Sequence, residues 1–274
     1  MSRIVLVTGG TKGIGLCIAQ AFFAAGDTVV AASRRPAKVP FDTLPLDVSN
    51  DQSIVDCVRA VREKYGRLDI LVGCAGLGVG GPMEGYSFSQ MEQECRLNLV
   101  GAAKVIKAAL PLLRESRGRV ISISSVAARI PLPYQCLYSA SKAALSAMSD
   151  ALRLELWQSG VQFCALEPGD TKTGFTAART YAAQMRGLPC YRSTCESALN
   201  AMISDEIHGK NPDTVARTAL KVAKKRKMPA RRVVCADYKL LCLAARFLPH
   251  ALVEIILRRL YFHTKKDAGF RYPS

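Results

Sequence analysis

Apolar positions in this chain fall into short continuous runs separated by longer stretches of helical period. Ile4–Thr8, Thr28–Ala32, Leu44–Leu46, Ile70–Gly73, Arg119–Ser124 and Gln162–Glu167 read as strands. Gly13–Ala25, Ser53–Tyr65, Ser89–Ser116 and Ser139–Ser159 read as helices, the first closed by Gly26 and the second capped by Ser49 or Asp51. Strands that are apolar throughout and alternate with helices predict a parallel sheet covered on both faces. The expected fold is therefore α/β, a Rossmann-like doubly wound parallel sheet. It forms a single domain over residues 1–274, with a core at 1–170. After Pro168 the pattern loosens. Residues 171–212 read as a mobile, partly helical substrate lid, and 213–262 as helices around a short strand at Arg232–Cys235.

Composition agrees with a globular chain and removes several classes. Of 274 residues, 49% are hydrophobic and 22% charged, which excludes a disordered or collagen-like chain. The ten cysteines form no Cys-x-x-Cys pair and sit in apolar company, so they read as reduced, mostly buried thiols. The three histidines lack metal-ligand spacing, so no metal site is expected. Met1-Ser2-Arg3 leads directly into the first strand, too short a start for a signal-peptide core. No apolar run approaches the ~20 residues of a membrane span. The expected location is cytoplasmic.

The first strand meets the first helix at Thr8-Gly9-Gly10-Thr11-Lys12-Gly13-Ile14-Gly15. In a doubly wound sheet that junction receives a dinucleotide. Glycines let the backbone approach a pyrophosphate, and its charge meets the N–H groups at the helix N-terminus. A glycine-rich loop without a ligand is the plainer alternative, and the position of this one favours a nucleotide site.

The spacing Thr-Gly-x3-Gly-x-Gly resembles that of the short-chain dehydrogenase/reductase family, and further motifs follow in order over residues 3–175. Asp47 and Val48 in Leu46-Asp47-Val48 are similar to the family's adenine-binding pair. Asn98, Ser125, Tyr138 and Lys142 match its catalytic set, with Ser125 lying 13 residues before Tyr138. Pro168, Gly169, Thr171 and Thr173 resemble its loop over the nicotinamide carboxamide. One departure stands at Gly73-Cys74-Ala75-Gly76, where the family has Asn-Asn-Ala-Gly. Cys74 hydrogen-bonds poorly, and the change reads as one in a structural role. The backbone of Cys74, Ala75 and Gly76 would still touch the cofactor ribose.

The chemistry behind the match is plain. A spacing of four puts Tyr138 and Lys142 on one helix face. An ammonium beside the phenol would lower its pKa from about 10, so that it exchanges a proton with a substrate oxygen near neutral pH. Ser125 would hydrogen-bond the same oxygen. The resemblance further implies that Asn98 holds a relay water and that Lys142 binds the nicotinamide ribose. Tyr-x3-Lys alone is weak, since Tyr261-x3-Lys265 also fits. No strand-and-loop unit precedes that second pair, which reads as one face of a terminal basic helix.

The second strand ends at Ser33-Arg34-Arg35 with no acid to take a ribose hydroxyl, and Lys12 lies in the glycine turn. Guanidinium groups there suit a 2′-phosphate, so the expected cofactor is NADP(H). Val126, Ile130, Leu132, Pro133 and Tyr134 offer an apolar wall for a hydrophobic small-molecule substrate. Phe175, Tyr181, Met185, Leu188 and Tyr191 serve equally as a lid or as plain packing. The C-terminal region resembles that of the hydroxysteroid and retinol dehydrogenases, which implies a steroid-, bile-acid- or retinoid-like alcohol or ketone. A ketoreductase of a fatty-acyl or other small carbonyl is the alternative. Family likeness also implies a homodimer or homotetramer through the helices bearing Asn98 and Tyr138.

Two readings come from other classes. Ser139-x2-Lys142 and Lys172-Thr173-Gly174 fit elements of a Ser-Lys acyl-enzyme hydrolase, without the Ser-Asp-Asn element that accompanies them. The net charge of +16 is concentrated at the end, where residues 208–274 hold 16 Lys and Arg against 4 Asp and Glu. That segment reads as a solvated helix end or as a peripheral contact with anionic lipid. Nucleic acid is disfavoured, because no helix-turn-helix or stacking pattern accompanies the charge.

Overall fold

A computed structural model of the chain describes residues 2–35, 37–262 and 267–273. Nine strands are present among them: β1 (Ile4–Thr8), β2 (Thr28–Ser33), β3 (Asp42–Pro45), β4 (Ile70–Gly73), β5 (Val79–Gly80), β6 (Arg119–Ile123), β7 (Gln162–Glu167), β8 (Thr180–Tyr181) and β9 (Arg231–Val233). Seven form one parallel sheet in the order β3-β2-β1-β4-β6-β7-β9, and β5 pairs with β8. The order reverses direction at β1 and β4, so the carboxyl ends of those strands open a crevice.

Alternation along the strands explains both faces. Leu6, Val30, Leu71, Val120 and Phe163 point to one side, where α2 (Asp51–Tyr65) and α4 (Gly101–Ser116) bury Val61, Val105 and Leu112 against them. Val5, Val7, Ile70, Ile121 and Leu166 point to the other, under Phe22 of α1 (Gly13–Ala24) and Val215 of α8 (Asp213–Ala223). The expected doubly wound sheet is what the chain forms.

Several boundaries differ from expectation for local reasons. Helix α2 is capped by Asn50, whose side chain accepts from the Ser53 N–H at 2.9 Å, while the Ser49 hydroxyl instead donates to Asp47 at 2.7 Å. The predicted helix at 89–116 is α3 (Phe88–Cys95), a π-turn at Arg96–Val100, and α4. The C-terminal strand begins at Arg231 and pairs in parallel with β7, completing the sheet. Of the ten free cysteines four are buried, fewer than expected, and Cys136 and Cys190 are exposed.

The segment after β7 is a packed layer and not a loose flap. It holds α6 (Phe175–Ala178) and α7 (Arg192–Ile207). Cys195, Leu199 and Met202 of α7 share a core with Met185, Tyr86 and Tyr272. Burial of that much apolar surface works against free opening. Helices α9 (Ala236–Phe247) and α10 (His250–Phe262) follow β9. Among the described residues no helix is long and apolar enough to cross a membrane, and no cluster of metal-ligating groups occurs.

Candidate active site

The glycine turn forms a cradle between β1 and α1. Gly9 and Gly13 hold φ of +66° and +54°, which L side chains rarely adopt. A Cβ at Gly9 would lie 3.2 Å from the Ala75 backbone nitrogen, and one at Gly15 would run into the Gly9 carbonyl. No side chain caps α1 at Lys12, which leaves the first-turn N–H groups to an anion. The Thr8 hydroxyl accepts from the Cys74 N–H at 3.1 Å, tying this turn to Cys74, Ala75 and Gly76.

At the end of β2, the Thr11 hydroxyl donates to Ser33 at 2.9 Å, and Ser33 donates to the Arg35 carbonyl at 2.6 Å. Arg34 and Arg35 are exposed beside this tie. Bonds from Ser49 hold the Asp47 carboxyl below its ordinary range, with the Arg34 guanidinium adding to the effect. Val48 is buried in the core, so a ligand would meet its backbone.

Across the crevice, α5 (Cys136–Glu155) carries Tyr138 and Lys142 one turn apart. Lys142 is buried, and its ammonium donates to the Ile123 carbonyl at 3.0 Å. Burial pulls its pKa down to about 8. The Tyr138 phenol departs from expectation: burial pushes it up to about 12, with the Ser125 hydroxyl opposing. Lys142 does not offset that burial, because burial draws off its own charge near pH 8, before the phenol titrates. Tyr138 is therefore a protonated acid through neutral pH, not a phenolate.

Asn98 sits in the π-turn, fully buried behind Gly76. Its amide accepts from the Leu77 N–H at 2.8 Å and donates to the Leu77 carbonyl at 2.9 Å and to Ser141 at 3.1 Å. A Cβ on Gly76 would come within 3.1 Å of Asn98 Oδ1 and 3.5 Å of Lys142 Nζ. Asn98 Oδ1 and Lys142 Nζ thus stand together against Gly76. Burial also pushes the Cys74 thiol up to about 12, so it stays a thiol.

A cavity of about 820 Å³ joins these parts. Gly9, Lys12, Gly13, Ile14, Gly15, Cys74, Ala75, Gly76, Ser125, Tyr138, Lys142, Pro168, Gly169, Thr171 and Thr173 all line it. Thr11, Ser33, Arg34, Arg35, Asp47, Val48 and Asn98 do not; they stand beside or behind its walls. Val126, Ile130 and Leu132 line it as expected, but Pro133 and Tyr134 turn away. Tyr134 takes φ +59° and bonds Thr194, with its ring against Tyr191 and Phe262. Of the aromatic lid candidates only Phe175 reaches the cavity, its ring 5.8 Å from that of Tyr138. Tyr181, Met185, Leu188 and Tyr191 pack elsewhere.

Tyr261 is a second correction. It does lie on the terminal helix, α10, but in the cavity wall, where burial raises its pKa. Lys265, its partner in the sequence pattern, lies outside the described residues. Sequence reading also missed Tyr238. Its ring covers Gly169, and its hydroxyl donates to the Asp170 carboxylate at 2.6 Å and accepts from the Asp170 N–H at 3.1 Å. Nothing local in the sequence links α9 to that loop. Glu94 was missed as well: it is fully buried, one oxygen lacks a partner, and burial pushes its pKa up to about 7.

Comparison with known proteins agrees with this geometry. The family described as short chain dehydrogenase matches residues 3–184. A 3-ketodihydrosphingosine reductase of Bacteroides thetaiotaomicron is 30% identical over 263 residues, covering 94% of this chain and 98% of that protein. The ketoacyl reductase HetN of Nostoc is 29% identical over 81% of this chain and 83% of its own. A short-chain dehydrogenase from Streptomyces avermitilis superposes with a TM-score of 0.82 at 26% identity, covering 94% of this chain and 97% of that one. The uncapped helix, the cradle that a Cβ would fill and the joined cavity all fit a nicotinamide dinucleotide, the cofactor class of this family. The chain belongs to the short-chain dehydrogenase family of oxidoreductases, which work between C–OH and C=O.

Proposed function

We propose that this chain is an NADP(H)-dependent reductase that turns a ketone on a long apolar molecule into a secondary alcohol. The observation that carries this reading is the single cavity running from the glycine turn, past Ser125 and Tyr138, to apolar side chains such as Leu241 and Leu257 on α9 and α10. Its volume lies in the range of small-molecule sites. The names of the two reductase relatives favour an open-chain ketone over the steroid- or retinoid-like ligand expected from the C-terminal region.

The dinucleotide, when bound, supplies the hydride. Lys12 and the start of α1 would take its diphosphate. Arg34 and Arg35 would take a 2′-phosphate, which an acid at that place would repel. Asp47 and Val48 would meet the adenine, Cys74 to Gly76 and Lys142 the nicotinamide ribose, and Pro168, Gly169, Thr171 and Thr173 the carboxamide. Tyr138, protonated at neutral pH, donates its proton to the carbonyl oxygen as that oxygen gains charge. The Ser125 hydroxyl donates a hydrogen bond to the same oxygen. The phenol holds its proton until the carbonyl oxygen gains charge, and that growing charge drives the transfer. The Cys74 thiol takes no part in the proton transfer.

A panel of carbonyls followed at the absorbance of the reduced cofactor tests the reading. It contains 3-ketosphinganine, a 3-ketoacyl thioester, a ketosteroid, a keto bile acid and retinal, each with NADPH and with NADH. The open-chain ketones should turn over with NADPH. Preference for NADH would remove the cofactor assignment, and turnover of the fused-ring ketones alone would remove the substrate class.

A further inference from the structure

We infer that helices α9 and α10 rest on the surface of a membrane containing anionic lipid, and that the cavity opens toward that surface. The membrane contact stands on surface chemistry alone; the role given to the opening rests on the lipid-like substrate proposed above.

The first observation is where the exposed apolar side chains lie. Seventeen large hydrophobic residues are exposed among the described residues, and eight of them fall between Leu240 and Leu260. Phe247 is 77% exposed, Leu240 68% and Leu260 56%. Exposed apolar residues are ordinary when scattered, but a cluster of this density on two consecutive helices marks an interaction surface. Burial of neighbouring residues does not account for it, because α9 has one buried residue, Cys242, and α10 has none.

The second is the division of the two helices into faces. Leu241, Ala245, Leu248, Val253, Ile256 and Leu257 line the cavity. Leu240, Leu243, Phe247, Leu252 and Ile255 do not, and each is exposed. Leu241, Ile256 and Leu260 are at once cavity lining and exposed. They mark where the interior apolar wall runs continuously onto the outer apolar surface. A ligand with a long hydrocarbon chain could cross that point without passing through water.

Charge selects the occupant. Lys239, Arg246, Arg258 and Arg259 are exposed on the same two helices. The acids there are Asp237, paired with Lys210, and Glu254, paired with Arg258. A basic apolar face on a chain of net charge +16 repels a second copy of itself and is attracted to anionic headgroups. Neither helix can span a bilayer, since α10 has 13 residues, about 20 Å of length. They lie on the surface, with side chains inserted to the depth of the headgroup boundary.

The test is co-sedimentation of the full chain with vesicles, made either of phosphatidylcholine alone or of phosphatidylcholine with about a third phosphatidylglycerol. The chain should pellet with the anionic vesicles and be released by salt. Arg246→Glu with Arg259→Glu should weaken the partition at least ~10-fold. Leu243→Ser with Phe247→Ser should do the same at any salt concentration. These four positions lie outside the cavity lining, so turnover of a short, water-soluble ketone should be unchanged, which also shows that the variants fold. Turnover of a long-chain ketone presented in anionic vesicles should fall in step with binding. Failure to bind either vesicle overturns the proposal. So does a dimer in solution that the Leu243 and Phe247 changes dissociate. If vesicle binding holds and no long-chain ketone reacts, the substrate reading fails and the membrane contact stands.

Discussion

Lys142 stands one helical turn from Tyr138 with its Nζ 5.7 Å from the centre of the phenol ring, yet its hydrogen bond goes to the Ile123 carbonyl. The lysine is thereby fixed beside the tyrosine without drawing off its proton. Burial acts on both groups in the direction of neutrality, taking the ammonium down to about 8 and the phenol up to about 12.

Removing the phenolic oxygen should therefore remove the acid. Tyr138→Phe is expected to lower kcat/KM by ~10²–10⁴-fold while NADPH binding, read by fluorescence titration, stays near wild type. Lys142→Met should cost a similar factor and weaken cofactor binding as well. The double variant should be scarcely worse than the poorer single one, because both residues serve one proton transfer. More than about a tenth of wild-type turnover in Tyr138→Phe would assign the proton to another group.

Cofactor choice rests on charge at the end of β2. Arg34→Asp exchanges attraction for repulsion at a 2′-phosphate, so NADPH should lose affinity far more than NADH. Measured dissociation constants for both cofactors decide it, and an equal loss would move the 2′-phosphate contact elsewhere.

Glu94 gives the fold a pH dependence whose sign is fixed by its raised pKa. Unfolded, its carboxyl releases a proton near 4.5; folded, it does so near 7. Between those values the folded chain holds the extra proton, so its stability falls as pH rises through that window. Glu94→Gln should remove this slope. The variant should be more stable than wild type above pH 7, by at most about 3 kcal/mol, and no more stable below pH 4.5. Urea midpoints across the range measure the difference.

Tyr238→Phe would leave the half-buried Asp170 carboxylate and its own N–H without the bonds they now share. The expected cost is about 1–3 kcal/mol of stability, accompanied by a higher KM for the cofactor, since Gly169 lies under the same ring. A change in stability with an unaltered KM would show that the loop keeps its place without the hydroxyl.

What was legible in the sequence was local or tightly spaced. β1, β4 and β7 fall where their apolar runs place them, and the glycine turn and the Tyr138 helix stand at their expected junctions. The π-turn at Arg96–Val100 was not legible, because Leu97, Leu99 and Val100 continue a helical pattern whether or not one residue bulges. Tyr261 and Tyr238 were misread or missed for a different reason. Each reaches the site from helices that follow the last strand, and only the packing of α9 and α10 against the crevice brings them there. Of the aromatic residues between Phe175 and Tyr191, Phe175 lines the cavity, Tyr191 packs against the core around α7 and Tyr181 is exposed, and no periodicity records that.

The π-turn also makes the helix that carries Asn98 sensitive to the count of its residues, not only to their identity. One residue beyond the α-helical number turns everything before it by about 100° relative to everything after it. Glu94 precedes that turn and Asn98 lies within it, while Val105, Ile106 and Leu112 beyond it face the sheet. Deleting one residue between Arg96 and Val100 would give a more regular helix and a better backbone ladder. It would also force a choice between phases. Either the sheet keeps its apolar cover and Asn98 swings away from Leu77 and Ser141, or Asn98 stays and the cover slides. An irregular helix is here the only phase in which the core and the floor of the cavity are both complete.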